Sequence, residues 1–398
     1  MMNLSRRDFL KTSLLATTGS MLVPRFLKAW ENPIQRGSDR ILIVLQLSGG
    51  NDGLNTVVPY HNDLYYKWRP KLALPPDKII KLSDELALNN ALEKLHLLYD
   101  RGHVGIFNNV GYPNPDRSHF RSMDIWQSAS GSAEYVNTGW IGRYLDSQCD
   151  GCGAHSAIEI DDTLSLALKG ASVKGMAVKD PAKLYRAAQA PFFKTLSSDF
   201  SLVHPEENVA YLYKTLAETV SNSDYIYSKS KVYQTKTEYP DTDFGKRLKT
   251  IGELIGSGVN TRVYYAALSG FDTHVRQSGT QERQLKTFAD AVYALVTDLE
   301  STNNFERVVI MTFSEFGRRV SENASGGTDH GTANNLFLIG KKISAGILNE
   351  TPNLQDLDNN DLIFQIDFRS IYATLLRKWL SVDEENIVNG KFPVLDFI

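Results

Sequence analysis

The sequence predicts an α/β fold: a mostly parallel sheet with helices on both faces. Two observations predict it. Five short segments are continuously apolar and rich in β-branched or aromatic residues, as strands buried on both faces must be: Ile41 to Leu47, His103 to Phe107, Arg262 to Leu268, Arg307 to Phe313 and Leu336 to Ile339. Between them run helical patterns. From Gln281 to Glu300, Leu285, Phe288, Ala289, Val292, Val296 and Leu299 recur at three- and four-residue steps and make one apolar face. From Phe368 to Leu380, Ile371, Tyr372, Leu375, Leu376 and Trp379 do the same, with Asp367 placed as the N-cap.

The first thirty residues read as an address. Ser5-Arg6-Arg7-Asp8-Phe9-Leu10-Lys11 precedes a moderately apolar stretch, Thr12 to Val23, too short to span a bilayer. This is the pattern of a twin-arginine export signal, so the Tat translocase is the expected first partner and the periplasm or cell envelope the expected location. Leu27-Lys28-Ala29 offers a cleavage point without a clean A-x-A, which leaves retention as an anchor open. The Tat route carries folded proteins, often with a cofactor loaded, so it favours a metal or cofactor site downstream. Residues 31–39, with Pro33 and Gly37, read as a linker. Residues 40–398 then form the α/β domain. Residues 145–240 break the strand–helix rhythm and are expected to form an inserted cap.

Composition narrows the function classes. The chain has 398 residues, 42% hydrophobic and 22% charged, which fits a globular protein with a sizeable core. With 43 basic and 46 acidic residues, the net charge of -3 excludes a nucleic-acid binder that relies on a global basic field. No stretch of eighteen apolar residues occurs, so no transmembrane span is expected in the mature chain. Two cysteines make no disulfide framework. Cys149 and Cys152 lack the second pair of a metal knuckle and read as a small disulfide or free thiols. Tyr225, Tyr227, Tyr233 and Tyr239 read as a partly packed insertion, and His61, His96, His103 and His204 as ordinary loop, surface or core residues.

In an open α/β sheet, ligands bind beyond the carboxyl ends of the strands. The segments at the predicted strand ends are Ser48-Gly49-Gly50-Asn51-Asp52-Gly53-Leu54-Asn55, Asn114-Pro115-Asp116-Arg117-Ser118-His119-Phe120, Gly270-Phe271-Asp272-Thr273-His274 and Ser314-Glu315-Phe316-Gly317-Arg318-Arg319. A fifth, Gly326-Gly327-Thr328-Asp329-His330-Gly331, stands just before the last strand. Each acid alone reads as a turn or ion-pair residue. Together they are the carboxylates and imidazoles that hold one or two divalent metals, with Zn, Mn or Fe favoured over Ca or Mg.

These motifs, with Lys391-Phe392-Pro393-Val394-Leu395-Asp396-Phe397 at the C-terminus, resemble the Tat-exported bacterial family known as domain of unknown function 1501, over essentially the whole chain from Ser5. That family is related at fold level to the alkaline phosphatase and sulfatase superfamily. The resemblance implies an alkaline-phosphatase-like fold. It implies that Asp52 binds metal at the end of the first strand, that Ser118 is the nucleophile at a helix start, and that Asp272 and His274 ligate. The superfamily spaces that His about four residues from the Asp; here the spacing is two. The superfamily's Asp-His-Gly is replaced by Ser314-Glu315-Phe316-Gly317, so Glu315 stands for the Asp and the His is missing. His330 matches the final ligand, and Asp329 assists it or replaces the missing group.

The implied activity is hydrolysis of phosphate or sulfate esters, small-molecule or glycan, with Ser118 or a metal-bound water attacking in line. Arg117, Arg121, Arg318 and Arg319 are the candidate anion clamps, and Asn51 and Asn55 the candidate substrate-orienting amides. Two alternatives stand beside it: a non-catalytic binding or assembly protein of the cell envelope that keeps the fold, and a transferase acting on an envelope glycan or lipid.

Overall fold

The structure is a computed structural model and describes residues 39–148, 153–191 and 207–398. The export signal, all of the linker but its last residue, His204 and the Cys149/Cys152 pair lie outside the described residues. No helix among the described residues is long and apolar enough to cross a membrane.

The central sheet contains nine strands: β1 (Ile41–Ser48), β2 (Val104–Gly111), β3 (Ala157–Glu159), β4 (Met176–Ala177), β5 (Val263–Ser269), β6 (Val308–Phe313), β7 (Asn334–Ile339), β8 (Gly346–Ile347) and β9 (Ile366–Asp367). Their order is β8-β2-β7-β6-β1-β5-β3-β4, with β9 also paired to β2. β1 runs parallel to β5 and β6, and β7 alone runs antiparallel, to both β6 and β2. The mostly parallel α/β sheet expected from the apolar runs is therefore present, with all five expected strands in it.

Successive residues of β1 enter two different cores because a strand's side chains alternate in direction. Ile41, Ile43, Leu45 and Leu47 pack on one face with α2 (Asp243–Gly256) and α3 (Gln277–Ser301). Leu42 and Val44 pack on the other with α1 (His119–Ser128) and α4 (Phe368–Thr374). Each such side chain contributes roughly 1.5–3 kcal/mol relative to exposure, which is why both faces must be covered. Asp367 caps α4 as expected, accepting from the Arg369 N–H at 3.0 Å. The helix continues as a short π-helical turn, Leu375–Trp379.

The orientation of β7 explains the placement of the motifs. In β1, β5 and β6 the carboxyl ends face one edge, and antiparallel β7 presents its amino end there. His330, which precedes β7, thus reaches the same edge as the segments that follow β1, β5 and β6.

Within 145–240 the short strands β3 and β4 extend the central sheet, β3 pairing with β5. They are too short to show an apolar run. Tyr233 and Tyr239 turn inward and both donate to the fully buried Asp298, at 2.6 and 2.9 Å, while Tyr227 stacks on Tyr185.

On β3 the Glu159 carboxyl is buried, accepts the Ser165 N–H at 2.6 Å and is pushed up to about 7 from an ordinary 4.5, chiefly by desolvation. The native state then holds a proton that the unfolded chain releases, so stability falls as pH rises from about 4.5 to about 7 and is level above. The full swing is on the order of 3 kcal/mol. Glu159→Gln should remove this slope and be the more stable protein at pH 8; equal pH profiles in denaturant unfolding would contradict it.

Candidate metal centre

Three histidines reach one carboxylate oxygen. Asp272 Oδ1 lies 3.1 Å from His274 Nε2, 3.4 Å from His330 Nε2 and 3.5 Å from His119 Nε2. Ligand atoms of His119, Asp272 and His330 all lie within 4.8 Å of one another. His119 opens α1, Asp272 and His274 follow β5, and His330 precedes β7, so three separate segments build the cluster.

The far side of each ring is anchored. His119 Nδ1 faces Glu315 Oε1 at 2.9 Å, His330 Nδ1 faces the Arg117 carbonyl at 2.8 Å, and His274 Nδ1 faces Asp329 Oδ1 at 3.2 Å. All three partners can accept a hydrogen bond from Nδ1–H, an arrangement that would leave the Nε2 atoms on the Asp272 side to act as ligands. His274 and His330 Nε2 lie 2.9 Å apart, and the buried His119 Nε2 has no hydrogen-bond partner. Two lone pairs at that separation repel unless a proton or a cation lies between them. The cluster of His119, Asp272 and His330, with His274 beside it and each imidazole backed by an acceptor, fits a divalent metal.

Electrostatics keep the carboxylate ready. Burial opposes ionisation of Asp272, but the Arg318 hydrogen bond at 2.7 Å and its charge outweigh burial and hold the carboxyl below the usual range. The hydrogen bond to Glu315 raises His119, whereas burial lowers His330. Asp329 is held low by Asn323 and His274.

The structure distributes the expected residues differently from their expected roles. Asp272, His274 and His330 come together. Glu315 stands behind His119 and also accepts the Gly49 N–H at 2.8 Å, so it orients an imidazole rather than facing the cluster. Asp329 likewise stands behind His274. Asp52 is turned away: its Oδ2 pairs with Arg69 Nη1 at 2.6 Å and accepts from Gln277 Nε2, with both ionic side chains buried. Asn51 bonds Thr56, and Asn55 bonds the Leu72 carbonyl, Tyr65 and Arg69, so both amides are engaged within the protein.

The arginines are mostly committed to the protein. Arg318 is buried and donates to the Gly49, Gly50, Phe271 and Thr328 carbonyls, bracing the first-strand loop against Asp272. Arg117 pairs with the buried Asp361. Arg121 donates to three carbonyls, those of Gly131, Ser132 and Glu134. Arg319 is half-buried and its guanidinium makes no such contact among the described residues. Gly49, at φ +118°, is required here: a Cβ would sit 2.4 Å from the Asp272 nitrogen.

Ser118 lies at the N-cap of α1, exposed, with its hydroxyl outside any capping bond. The histidine next to it, His119, was not among the expected ligands. Its position directly after a serine that opens a helix at a strand end was the available signal. Arg69 and Gln277 carried no local signal at all. His61 packs against Tyr60 with the rings tilted, His96 pairs with Asp100 and His103 packs on Phe305, all outside the cluster.

Residues 107–390 match the family model described as Protein of unknown function (DUF1501). The chain belongs to the DUF1501 family. No curated protein matches. Among solved structures, this DUF1501 chain is similar to the C-terminal periplasmic domain of EcEptC from Escherichia coli in complex with Zn (TM-score 0.36, 12% identity, 77% of this chain and 75% of that one). It is also similar to the PsFucS1 sulfatase from Pseudoalteromonas sp. (0.40, 12%, 94% and 73%) and to a protein in the alkaline phosphatase superfamily from Vibrio parahaemolyticus (0.41, 12%, 90% and 71%).

Proposed function

We propose that this DUF1501 protein is an exported metal-dependent hydrolase of phosphate or sulfate esters, with His119, Asp272, His274 and His330 holding one divalent ion. The observation that carries the reading is the convergence of three Nδ1-anchored imidazoles on Asp272 Oδ1. Zn, Mn or Fe suits three imidazoles better than Ca or Mg does. One ion rather than two is favoured because the Arg69 guanidinium already neutralises Asp52.

A bound ion would supply Lewis-acid polarisation of a phosphoryl or sulfuryl oxygen and lower the pKa of a nearby hydroxyl. The chain supplies the rest. Glu315, the Arg117 carbonyl and Asp329 hold the three rings in one tautomer. Asp272 stays ionised beside Arg318. Ser118 presents a free hydroxyl at the start of a ten-residue helix, beside His119, and is the proposed nucleophile. A transferase acting on an envelope glycan or lipid would use the same nucleophile and differ in the acceptor. The commitment of Arg117, Arg121 and Arg318 to internal contacts supports a second reading, a binding or assembly protein that keeps the ion without turning over an ester.

The test is elemental analysis of the folded protein, followed by phosphate and sulfate ester panels on the wild type and Ser118→Ala. About one equivalent of transition metal, turnover of one ester class and a kcat lower by at least ~1000-fold in Ser118→Ala are expected. Full activity in Ser118→Ala would remove the serine from the mechanism. A metal-loaded wild type inert on both panels would favour the binding reading.

A further inference from the structure

We infer that Gln277 is a positioning residue for the metal centre, a buried side chain that joins the two histidine-bearing loops to the buried Asp52–Arg69 pair. The inference rests on the proposed metal site and concerns how that site is held. Gln277 is fully buried and opens α3, where its N–H donates to the Gly326 carbonyl at 2.9 Å. Its Oε1 accepts from Thr328 Oγ1 at 2.6 Å and from Thr273 Oγ1 at 3.2 Å. Thr273 lies between Asp272 and His274. Thr328 lies one residue before Asp329 and two before His330. Its Nε2 donates to Asp52 Oδ2 and to Gln281 Oε1, the latter at 3.2 Å.

One amide therefore satisfies a threonine from each loop on its oxygen side and the buried carboxylate on its nitrogen side. The two loops also touch each other directly, through Asn323 Nδ2 to the His274 carbonyl at 3.0 Å, His274 Nδ1 to Asp329 Oδ1 at 3.2 Å and Thr328 N–H to the Thr273 carbonyl at 3.3 Å, but none of these contacts reaches the Asp52–Arg69 pair. Gly327 shows how closely they pass: a Cβ there would lie 2.3 Å from the His274 carbonyl carbon. Asp52 and Arg69 make a rigid floor, because Arg69 also donates to the Val320 and Arg319 carbonyls, both at 2.8 Å. Gln277 transmits that floor to Asp272, His274 and His330, and so fixes the separation of their ligand atoms. Outer partners of this kind typically set metal affinity by about 10- to 100-fold.

The experiment compares zinc and manganese affinity, by competition with a chromophoric chelator, for the full chain, Gln277→Met and Val292→Ala. Methionine keeps the length and burial of the side chain but removes all four hydrogen bonds. Val292→Ala opens a cavity on the same helix, away from the site, and controls for lost stability. Gln277→Met should bind about 10- to 100-fold more weakly, with Val292→Ala unchanged at an equal or lower unfolding temperature. Wild-type affinity in Gln277→Met, or an equal loss in Val292→Ala, overturns the inference and leaves the metal site standing. A folded wild type that takes up neither ion overturns the metal site, and the inference with it.

Discussion

His330→Ala should lose the metal and keep the fold. His330 offers Nε2 to the cluster, and its ring packs against His119, His274 and Phe316 at centroid distances of 4.4, 4.6 and 4.6 Å. Without it the ion keeps two imidazoles and one carboxylate, and affinity should fall by more than about 100-fold, beyond the range seen for outer partners. The ring is part-exposed at 23%, so truncation opens no deep cavity, and the stability of the metal-free protein should change by about 1 kcal/mol or less. The measurement is elemental content together with unfolding temperature before and after chelation. Chelation should lower the wild-type value, since an ion bound only by the native state stabilises it, and leave the variant unmoved. A variant with full metal content would remove His330 from the site.

Arg69→Met is expected to be the most destabilising single change considered, by about 3–5 kcal/mol. Arg69 and Asp52 are 0% and 1% exposed, and Asp52 Oδ1 already lacks a hydrogen-bond partner. Removing the guanidinium leaves an uncompensated buried carboxylate and strips the donors from Val320, Arg319 and Asn55. The double variant Asp52→Asn/Arg69→Met should recover part of the loss, because the amide carries no charge to bury. Denaturant unfolding of the wild type, both single variants and the double variant gives the coupling directly. A loss below about 1 kcal/mol for Arg69→Met would contradict the ion pair as the main restraint on Asp52.

Both predictions turn on a division that runs through the molecule. Local pattern alone reveals the five main strands as apolar runs, the long helix over Gln281 to Glu300 by its period, and the Asp367 cap by residue type, because burial on one or two faces imposes its pattern within a single segment; the structure starts that helix earlier, at Gln277. The glycine-flanked acids and histidines were likewise visible as strand-end loops, and the sheet does gather them at one edge. Tertiary structure decided which of them face each other. Asp52 and Glu315 each stand in the loop that follows a parallel strand, yet one meets Arg69 from seventeen residues on and the other meets His119 from nearly two hundred residues back. No imidazole follows β6, but His119 on α1 joins the cluster, and the antiparallel course of β7 brings His330 to the edge by its amino end. A side chain's partner is set by where distant segments cross. Local sequence encodes the period of a segment but not that crossing, so the residue types of the site were legible while their roles waited on the fold.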